Sequence, residues 1–591
     1  MDTPVLLDLQ VPRTLDAWVR QFEAPPWRGA SVEGWLFEGP DARRAAEQRL
    51  RAAGVRARLR SAYKPLVHSF LEDVDCARLV AVHLTYPAPA HAAPRRFLLE
   101  AYPLAGLLPA GCTLQCTPGG EDLHYQLDLT YGSGERVEAR VFAPNRVHTD
   151  HLGSTQLSPT GWLRTGAPQG GGAALDGPQA TDCEQLFDHA VRTVQQHPWP
   201  VQEPYFERLD LRVDLPGIEL PLAVDHECIS LAEALHEDLY FSLLEVFQRH
   251  SGRAASDRRL QPGQIVPDVR HGAPAVRIAL QPFAAQAQDR LGPPPEPLPG
   301  TPLERLAHPA HPQRIAAEMA RLPGLRFAAA SRQGRAVLGL YHRGPGAAVF
   351  ISGGQHANET SGVVGALRAA QQLQSPGSAN FALIALENPD GYALHRELCV
   401  QHPRHMQHAA RYSALGDDIE YREQAPLYER AAREQALALS GAQLHVNLHG
   451  YPAHEWTRPL TGYVPRGFGL WTIPKGFFLI LRHRPGWQAE GRALLEQVCA
   501  ALARVPGLSA YNARQMALYA QHAGELPFEQ IQGFACTQSE NPLPGPPVTL
   551  ITEFPDETVA DGDFRFAHTV QCAAVLAAVQ AWQGLARPAA G

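Results

Sequence analysis

Lysine is almost missing from this chain: of 591 residues, with 52 basic side chains, only Lys64 and Lys475 are lysines. Together with 52 prolines and many alanines, that skew reads as the codon bias of a GC-rich genome and not as a phosphate-binding design. No stretch of about 18 apolar residues occurs, so no membrane-spanning helix is expected. Long runs of like charge are absent and the net charge is −8, which makes neither nucleic acid nor an anionic membrane an expected partner. Residues 1–8 have neither a basic start nor a long apolar stretch, so no secretory leader is expected. The 9 cysteines are scattered and odd in number. Cys112 and Cys116 form the closest pair, and no second Cys/His pair follows at finger spacing. Reduced thiols and a cytoplasmic location are the expectation.

What is present is an ordinary globular balance, 45% apolar and 19% charged, in a chain long enough for about two to four domains. A glycine-rich stretch at 166–172 reads as a flexible connector, and a proline-rich stretch at 292–300 as a stiffer one. They divide the chain into 1–165, 175–290 and 300–591, without an internal repeat. The first two segments read as α+β, with no motif that names a role. A strand is expected at 34–38, a helix at 41–53 and an extended run at 55–61. A hairpin is expected over 127–142 and a strand at 206–213. Ser230 and Glu233 have the spacing of a capping box, ahead of an apolar stripe through Leu235, Leu239 and Leu243. His226, Glu227, His236 and Glu237 lie close together, and solvated or capping side chains explain them more simply than a metal cluster.

The third segment alternates strand-like and helical patterns, the mark of an α/β domain with a mainly parallel mixed sheet and flanking helices. Short apolar runs at 348–351, 381–386, 444–448 and 548–552 are of buried-strand type. Helical patterns cover 365–373, 428–439, 492–503 and 566–585. A polar motif begins where each of the four runs ends, and in an open α/β sheet ligands bind beyond the carboxyl ends of the strands.

After the first run comes His356-x-x-Glu359, preceded by Gly353-Gly354, which permit a sharp turn out of the strand. Neutral imidazole and carboxylate suit zinc, and two side chains three residues apart on a tight turn can face one ion. Strand alternation puts His445, Asn447 and His449 on one face. His449, at the tip, is the better third ligand, Asn447 a partner that orients a ligand, and His445 an ordinary hydrogen-bonded histidine. Two His and one Glu leave zinc an open position, which catalysis requires. Glu553 ends the fourth run; a desolvated strand-end carboxylate has a raised pKa and can serve as a general base.

In this order, His356-x-x-Glu359, Asn388-Pro389-Asp390-Gly391, His449 and Glu553 resemble the zinc carboxypeptidase family (peptidase family M14), over residues 310–585, about half of the chain. The resemblance implies a zinc-carboxypeptidase-like fold and one zinc ion per chain on His356, Glu359 and His449. It implies Glu553 as the general base and Arg411 as the residue that steadies the oxyanion. Asp418 matches the family's next motif, but Glu420 replaces its Asn, and Tyr421 replaces the Arg that clamps the substrate's terminal carboxylate. A guanidinium grips a carboxylate through two parallel hydrogen bonds; Tyr cannot, and Glu repels it. The expectation is a metal-dependent hydrolase of peptide or small amide substrates with atypical specificity. Glu420 and Tyr421 stand in the substrate-binding position, Glu420 suited to a cationic group, and Arg422 takes the clamp if the register slips by one. Tyr519 is the candidate for the family's late tyrosine that closes over the substrate. The stretch 542–547 reads as an inserted loop, and the aromatic and arginine-rich stretch 456–484 as a candidate pocket rim containing a core strand at 477–481. A deacylase of N-acyl amino acids or another amidase on the same fold, and a non-catalytic binding protein, are the alternatives.

Overall fold

The four apolar runs of the C-terminal half lie side by side as buried strands. In sheet order they are Asn380–Ile384, Ala348–Gly353, Leu444–Pro452 and Val548–Glu557, all parallel. This computed structural model describes residues 4–169, 173–254, 257–283, 300–374, 379–467, 472–542 and 544–586. Residues 170–172 and 292–299 of the two connectors, Trp471 of the candidate rim and Leu543 of the candidate inserted loop lie outside the described residues.

Among the described residues the sheet has nine strands and is evenly mixed, where a mainly parallel mixed sheet was expected. Leu325–Ala330 and Ala336–His342 add antiparallel partners at one edge. On the other side, Phe478–His483 runs antiparallel to Val548–Glu557, followed by Phe534–Glu540 and Glu529–Ile531. Helices cover both faces, as a central parallel sheet requires. Ser361–Leu373, Gln488–Leu502 and Asp561–Leu585 close one face through Val364, Leu367, Val498, Leu502, Val575 and Trp582. Arg430–Ser440 closes the other, with Ala432 and Ala436 against Phe350 and Ile384. Each fully buried Val, Leu or Phe on these faces contributes about 1.5–3 kcal/mol.

Among the described residues the N-terminal half carries three smaller four-stranded sheets. Its opening strand, Val5–Gln10, pairs with Ala275–Gln281 in a sheet shared with Arg208–Leu215 and Gln264–His271. The expected hairpin is His124–Tyr131 with Arg136–Phe142. Among the described residues no helix is long and apolar enough to cross a membrane.

The helix Leu231–Ser251 departs from expectation. Ser230 caps it by accepting from the Glu233 backbone N–H at 3.0 Å, but the Glu233 side chain does not close a capping box. It accepts instead from His454 Nε2 at 2.7 Å. His236 and Glu237 are not solvated: they are 5% and 0% exposed. The helix is buried between its own sheet and the C-terminal half, so its polar residues find partners across that boundary. Glu237 Oε2 lies 2.6 Å from His408 Nδ1, and Asp238 and Glu245 both pair with Arg458. Phe241 stacks on Trp456 with ring centres 5.4 Å apart. One apolar cluster runs through both halves, joining Leu235, Leu239 and Phe247 to Leu394, Met406, Trp456 and Tyr463.

The segment that leaves the Leu444–Pro452 strand is fastened to the N-terminal half residue by residue. His454 pairs with Glu233, Glu455 with Lys64, and Arg458 with Asp238. Thr457 Oγ1 lies 2.6 Å from the Tyr63 hydroxyl.

Candidate metal centre

The chain turns sharply out of the Ala348–Gly353 strand at Gly354, whose φ of +63° is a left-handed value that favours glycine. A Cβ there would also sit 2.7 Å from Leu386 Cδ1. The turn closes when the Glu359 N–H donates to the His356 carbonyl at 3.2 Å, which sets His356 and Glu359 on one side. His449 arrives from the neighbouring strand, where it stands opposite Glu553 in the ladder.

Three of the expected residues converge. His356 Nδ1 lies 2.8 Å from Glu359 Oε1, His449 Nδ1 lies 2.9 Å from Glu359 Oε2, and the two Nδ1 atoms are 3.0 Å apart. All three side chains are buried. Around a tetrahedral zinc ion with bonds of about 2.0–2.1 Å, donor atoms stand about 3.3 Å apart, so a slight spreading of this trio admits the ion. Two imidazole nitrogens and a carboxylate oxygen aimed at one point form a donor set that zinc accepts. Burial opposes the Glu359 charge, but His356, Arg411 and His449 together hold its carboxyl well below the usual range. Burial keeps the His449 imidazole below its ordinary pKa. Both groups are thereby kept in the form that binds a cation.

A hydrogen-bonded relay behind His356 fixes its ring. Asn447 Nδ2 donates to Gln355 Oε1 at 2.9 Å, Gln355 Nε2 donates to Asp418 Oδ1 at 2.9 Å, and Asp418 Oδ2 lies 3.5 Å from His356 Nε2. A carboxylate on Nε2 keeps the proton there and leaves the Nδ1 lone pair facing Glu359 and His449. Asn447 thus acts on His356 through Gln355 and Asp418. His445 is the ordinary histidine expected: its Nε2 lies 2.8 Å from Ser352 Oγ and its ring stacks on Phe350.

Glu553 is half-buried, and its carboxylate makes no hydrogen bond among the described residues. Burial, and after it the charge of Glu359, push its carboxyl well above the ordinary value, against Arg411 and Lys475. Arg411 NH1 donates to Glu359 Oε1 at 2.5 Å and lies 3.9 Å from Glu557 Oε1. Lys475 is buried, its ammonium 4.5 Å from the Tyr451 ring centre. Burial drives its pKa down to about 7, against the pull of Glu553.

The other expected site residues lie elsewhere around this core. The Glu420 carboxylate is held by Arg433 and is 3.8 Å from Arg430, so its cationic partner belongs to the chain itself. The Tyr421 ring faces Arg258, 5.7 Å from the guanidinium carbon. Arg422 is buried between Asp417 and Glu429. Tyr519 packs with Leu99, Tyr102, Ile473 and Ala523, where burial pushes its hydroxyl up to about 12.

Sequence reasoning passed over Glu557, which accepts from Asn358 Nδ2 at 2.7 Å beside Arg411. Strand alternation does not lead to it from Glu553, because the ladder shifts register between Pro555 and Glu557. It also passed over Arg433, which joins Glu420, Glu387 and Gln355. A second convergent trio, Cys228, Glu233 and His454, is of another kind. Burial opposes the His454 charge, but Glu233 holds its pKa up at about 9. Burial also pushes the Cys228 thiol far up, so the trio is an ion pair of His454 and Glu233 beside a neutral thiol.

No protein-family model and no curated protein matches the chain. Among solved structures it is similar to a metallo-carboxypeptidase from Burkholderia cenocepacia, with 14% identity over 52% of this chain and 76% of that one, TM-score 0.29. It is likewise similar to a metallo-carboxypeptidase from Pseudomonas aeruginosa in complex with (2-guanidinoethylmercapto)succinic acid, with 16% identity over 52% and 71% of the two chains, TM-score 0.29. Thrombin activatable fibrinolysis inhibitor is 9% identical over 52% of this chain and 88% of its own, TM-score 0.32. With likeness this distant, function rests on the centre formed by His356, Glu359 and His449.

Proposed function

We propose that this chain is a metal-dependent hydrolase of peptide or related amide bonds, with one zinc ion held by His356, Glu359 and His449. The observation that carries the proposal is the convergence of two imidazole Nδ1 atoms, 3.0 Å apart, on the Glu359 carboxylate, each within 2.9 Å of one of its oxygens, beside the Glu553 carboxylate, which makes no hydrogen bond among the described residues. When bound, zinc supplies Lewis-acid polarisation of an amide carbonyl.

The chain's own groups perform the rest. Asp418 holds the His356 proton on Nε2. Glu553, with its raised pKa, accepts a proton from the attacking water and returns it to the leaving nitrogen. Arg411 offers its guanidinium where negative charge develops on the carbonyl oxygen, the kind of fixed donor that is usually a large catalytic term. A pure binding module has no need of an unengaged carboxylate beside a three-ligand centre, which favours catalysis over binding alone.

The test is mass-spectrometric analysis of products from a mixed peptide library, half with free and half with amidated C-termini, incubated with the protein and with its Glu553→Gln variant. Products that appear with the protein and vanish with the variant support the proposal. Identical product profiles for the two overturn it.

A further inference from the structure

The loop that follows the helix Pro389–Cys399 lies on the N-terminal half before it reaches Arg411. Its Met406 N–H donates to Glu233 Oε1 at 2.6 Å. Just ahead of that contact, the His402 and His405 rings stack with centres 4.6 Å apart and planes 7° from parallel. Both line a cavity of about 280 Å³ between the two halves. Its other wall comes from the ends of the strands Arg208–Leu215 and Gln264–His271 and from Ala232, in the first turn of the helix Leu231–Ser251. That volume is near the lower end for small-molecule sites.

A smaller cavity of about 10 Å³ adjoins it, with room for about one oxygen atom. It shares Ala232, His402 and His405 with the first and adds His236 and Asp268 to its wall. His236 is 5% exposed, and its Nε2 is buried without a hydrogen-bond partner among the described residues. The same holds for His402 Nε2. Each buried polar atom left open costs about 1–3 kcal/mol, so two of them beside one small cavity call for an occupant. An oxygen atom seated there can bond both rings.

The lining decides the charge of that occupant. The acids are taken: Glu219 accepts from Ser230 Oγ at 2.6 Å and lies 3.2 Å from His405 Nε2, and Asp268 holds Arg270 at 2.6 Å. The donors are open: among the described residues the side chains of Arg404, Gln401 and His271 make no hydrogen bond or ion pair. The start of the long helix adds its partial positive charge through the turn of Ala232. A metal ion fits less well. Parallel rings carry their nitrogens side by side, and these imidazoles do not converge as His356 and His449 do.

We propose that this cavity is a binding site for a small organic anion, which enters between the two halves past Arg404 and sets a charged oxygen against His236 and His402. None of its lining residues belongs to the metal centre, and the proposal does not depend on the hydrolase reading. The charged oxygen comes from a phosphate monoester or a carboxylate, and the test separates the two.

Four probes suffice: glycerol 3-phosphate with its neutral parent glycerol, and succinate with its neutral counterpart succinamide. Binding to the full chain is measured by calorimetry, then repeated with Arg404→Gln, with His402→Gln and, because anions also bind metal ions, with His449→Ala. At least one anion is expected to bind about tenfold tighter than its neutral counterpart. Arg404→Gln and His402→Gln are each expected to erase that gap, and His449→Ala to leave it. Arg404 is exposed, so its replacement keeps the fold even where that of His402 does not. A gap for glycerol 3-phosphate assigns a phosphate monoester, and a gap for succinate assigns a carboxylate. No gap, a gap that survives either cavity substitution in a folded protein, or a gap lost with His449→Ala overturns the proposal.

Discussion

Replacing Lys64 by methionine should destabilise the protein slightly below about pH 7 and increasingly above it. Lys64 and Glu455 are each 3% exposed, and they face each other across the boundary between the two halves. Burial raises the Glu455 carboxyl to about 7, with Lys64 pulling against it and Glu227 adding to it. In the unfolded chain a glutamate titrates near its ordinary value of about 4.3. The folded protein therefore holds more protons between these two values, and stability falls as pH rises through this window. The contribution is fully present below the unfolded value and is lost by the time pH passes about 7. Without Lys64 the folded pKa moves higher still, so the loss continues where the parent protein has stopped losing. The two proteins should run parallel below pH 7 and diverge above it by about 1.4 kcal/mol per pH unit. The ceiling is the about 3–5 kcal/mol that follows when one partner of a buried pair is removed. Below pH 7 only the 2.6 Å bond from the Lys64 ammonium to the Tyr102 carbonyl is lost, worth about 1 kcal/mol. Thermal unfolding of both proteins at several pH values from 5.5 to 9 is the assay. An offset that does not change with pH would refute the reasoning, because it would mean that Glu455 stays neutral or solvated throughout.

Other outcomes follow from the centre. His449→Ala should leave far-ultraviolet circular dichroism unchanged while zinc measured by plasma mass spectrometry falls from about one per chain towards zero; retained zinc would place the ion elsewhere. Asp418→Asn, which removes the carboxylate behind His356, should weaken zinc affinity by about 10–100-fold in chelator competition. Glu553→Gln should lower kcat by about 10²–10⁴-fold while zinc content is kept, and a loss confined to KM would argue against its role as base.

Much of this was legible because buried strands and sharp turns write short-range patterns. The apolar runs ending in His356, His449 and Glu553 became adjacent strands of one sheet, and strand alternation alone put Asn447 and His449 on one face. How far antiparallel pairs share the sheet was not legible. Phe478–His483 is a single apolar strand whose direction is set by where its chain re-enters, and no local pattern records that. The polar residues of the Leu231–Ser251 helix were misread for a related reason. Glu237 looks solvated until His408, far along the chain, takes its hydrogen bond in the interior. Glu420 looked like a receptor for a cation outside the chain, and the cation turned out to be Arg433. In each case the local residue type was informative, and the missing fact was a partner distant in sequence.

The helix Leu231–Ser251 has a consequence for how the protein is made. Glu233, Glu237 and Asp238 leave the ribosome well before His454, His408 and Arg458 exist. At about 5–20 residues per second, the helix waits roughly 10–40 s with acidic groups on a face destined for burial. Desolvating unpaired carboxylates is costly, so that face has every reason to stay wet until the counter-charges emerge. The N-terminal half is synthesised first, yet its closure is timed by the C-terminal half. A ribosome stalled before residue 458 should hold a chain whose N-terminal region is still open to proteases and chaperones.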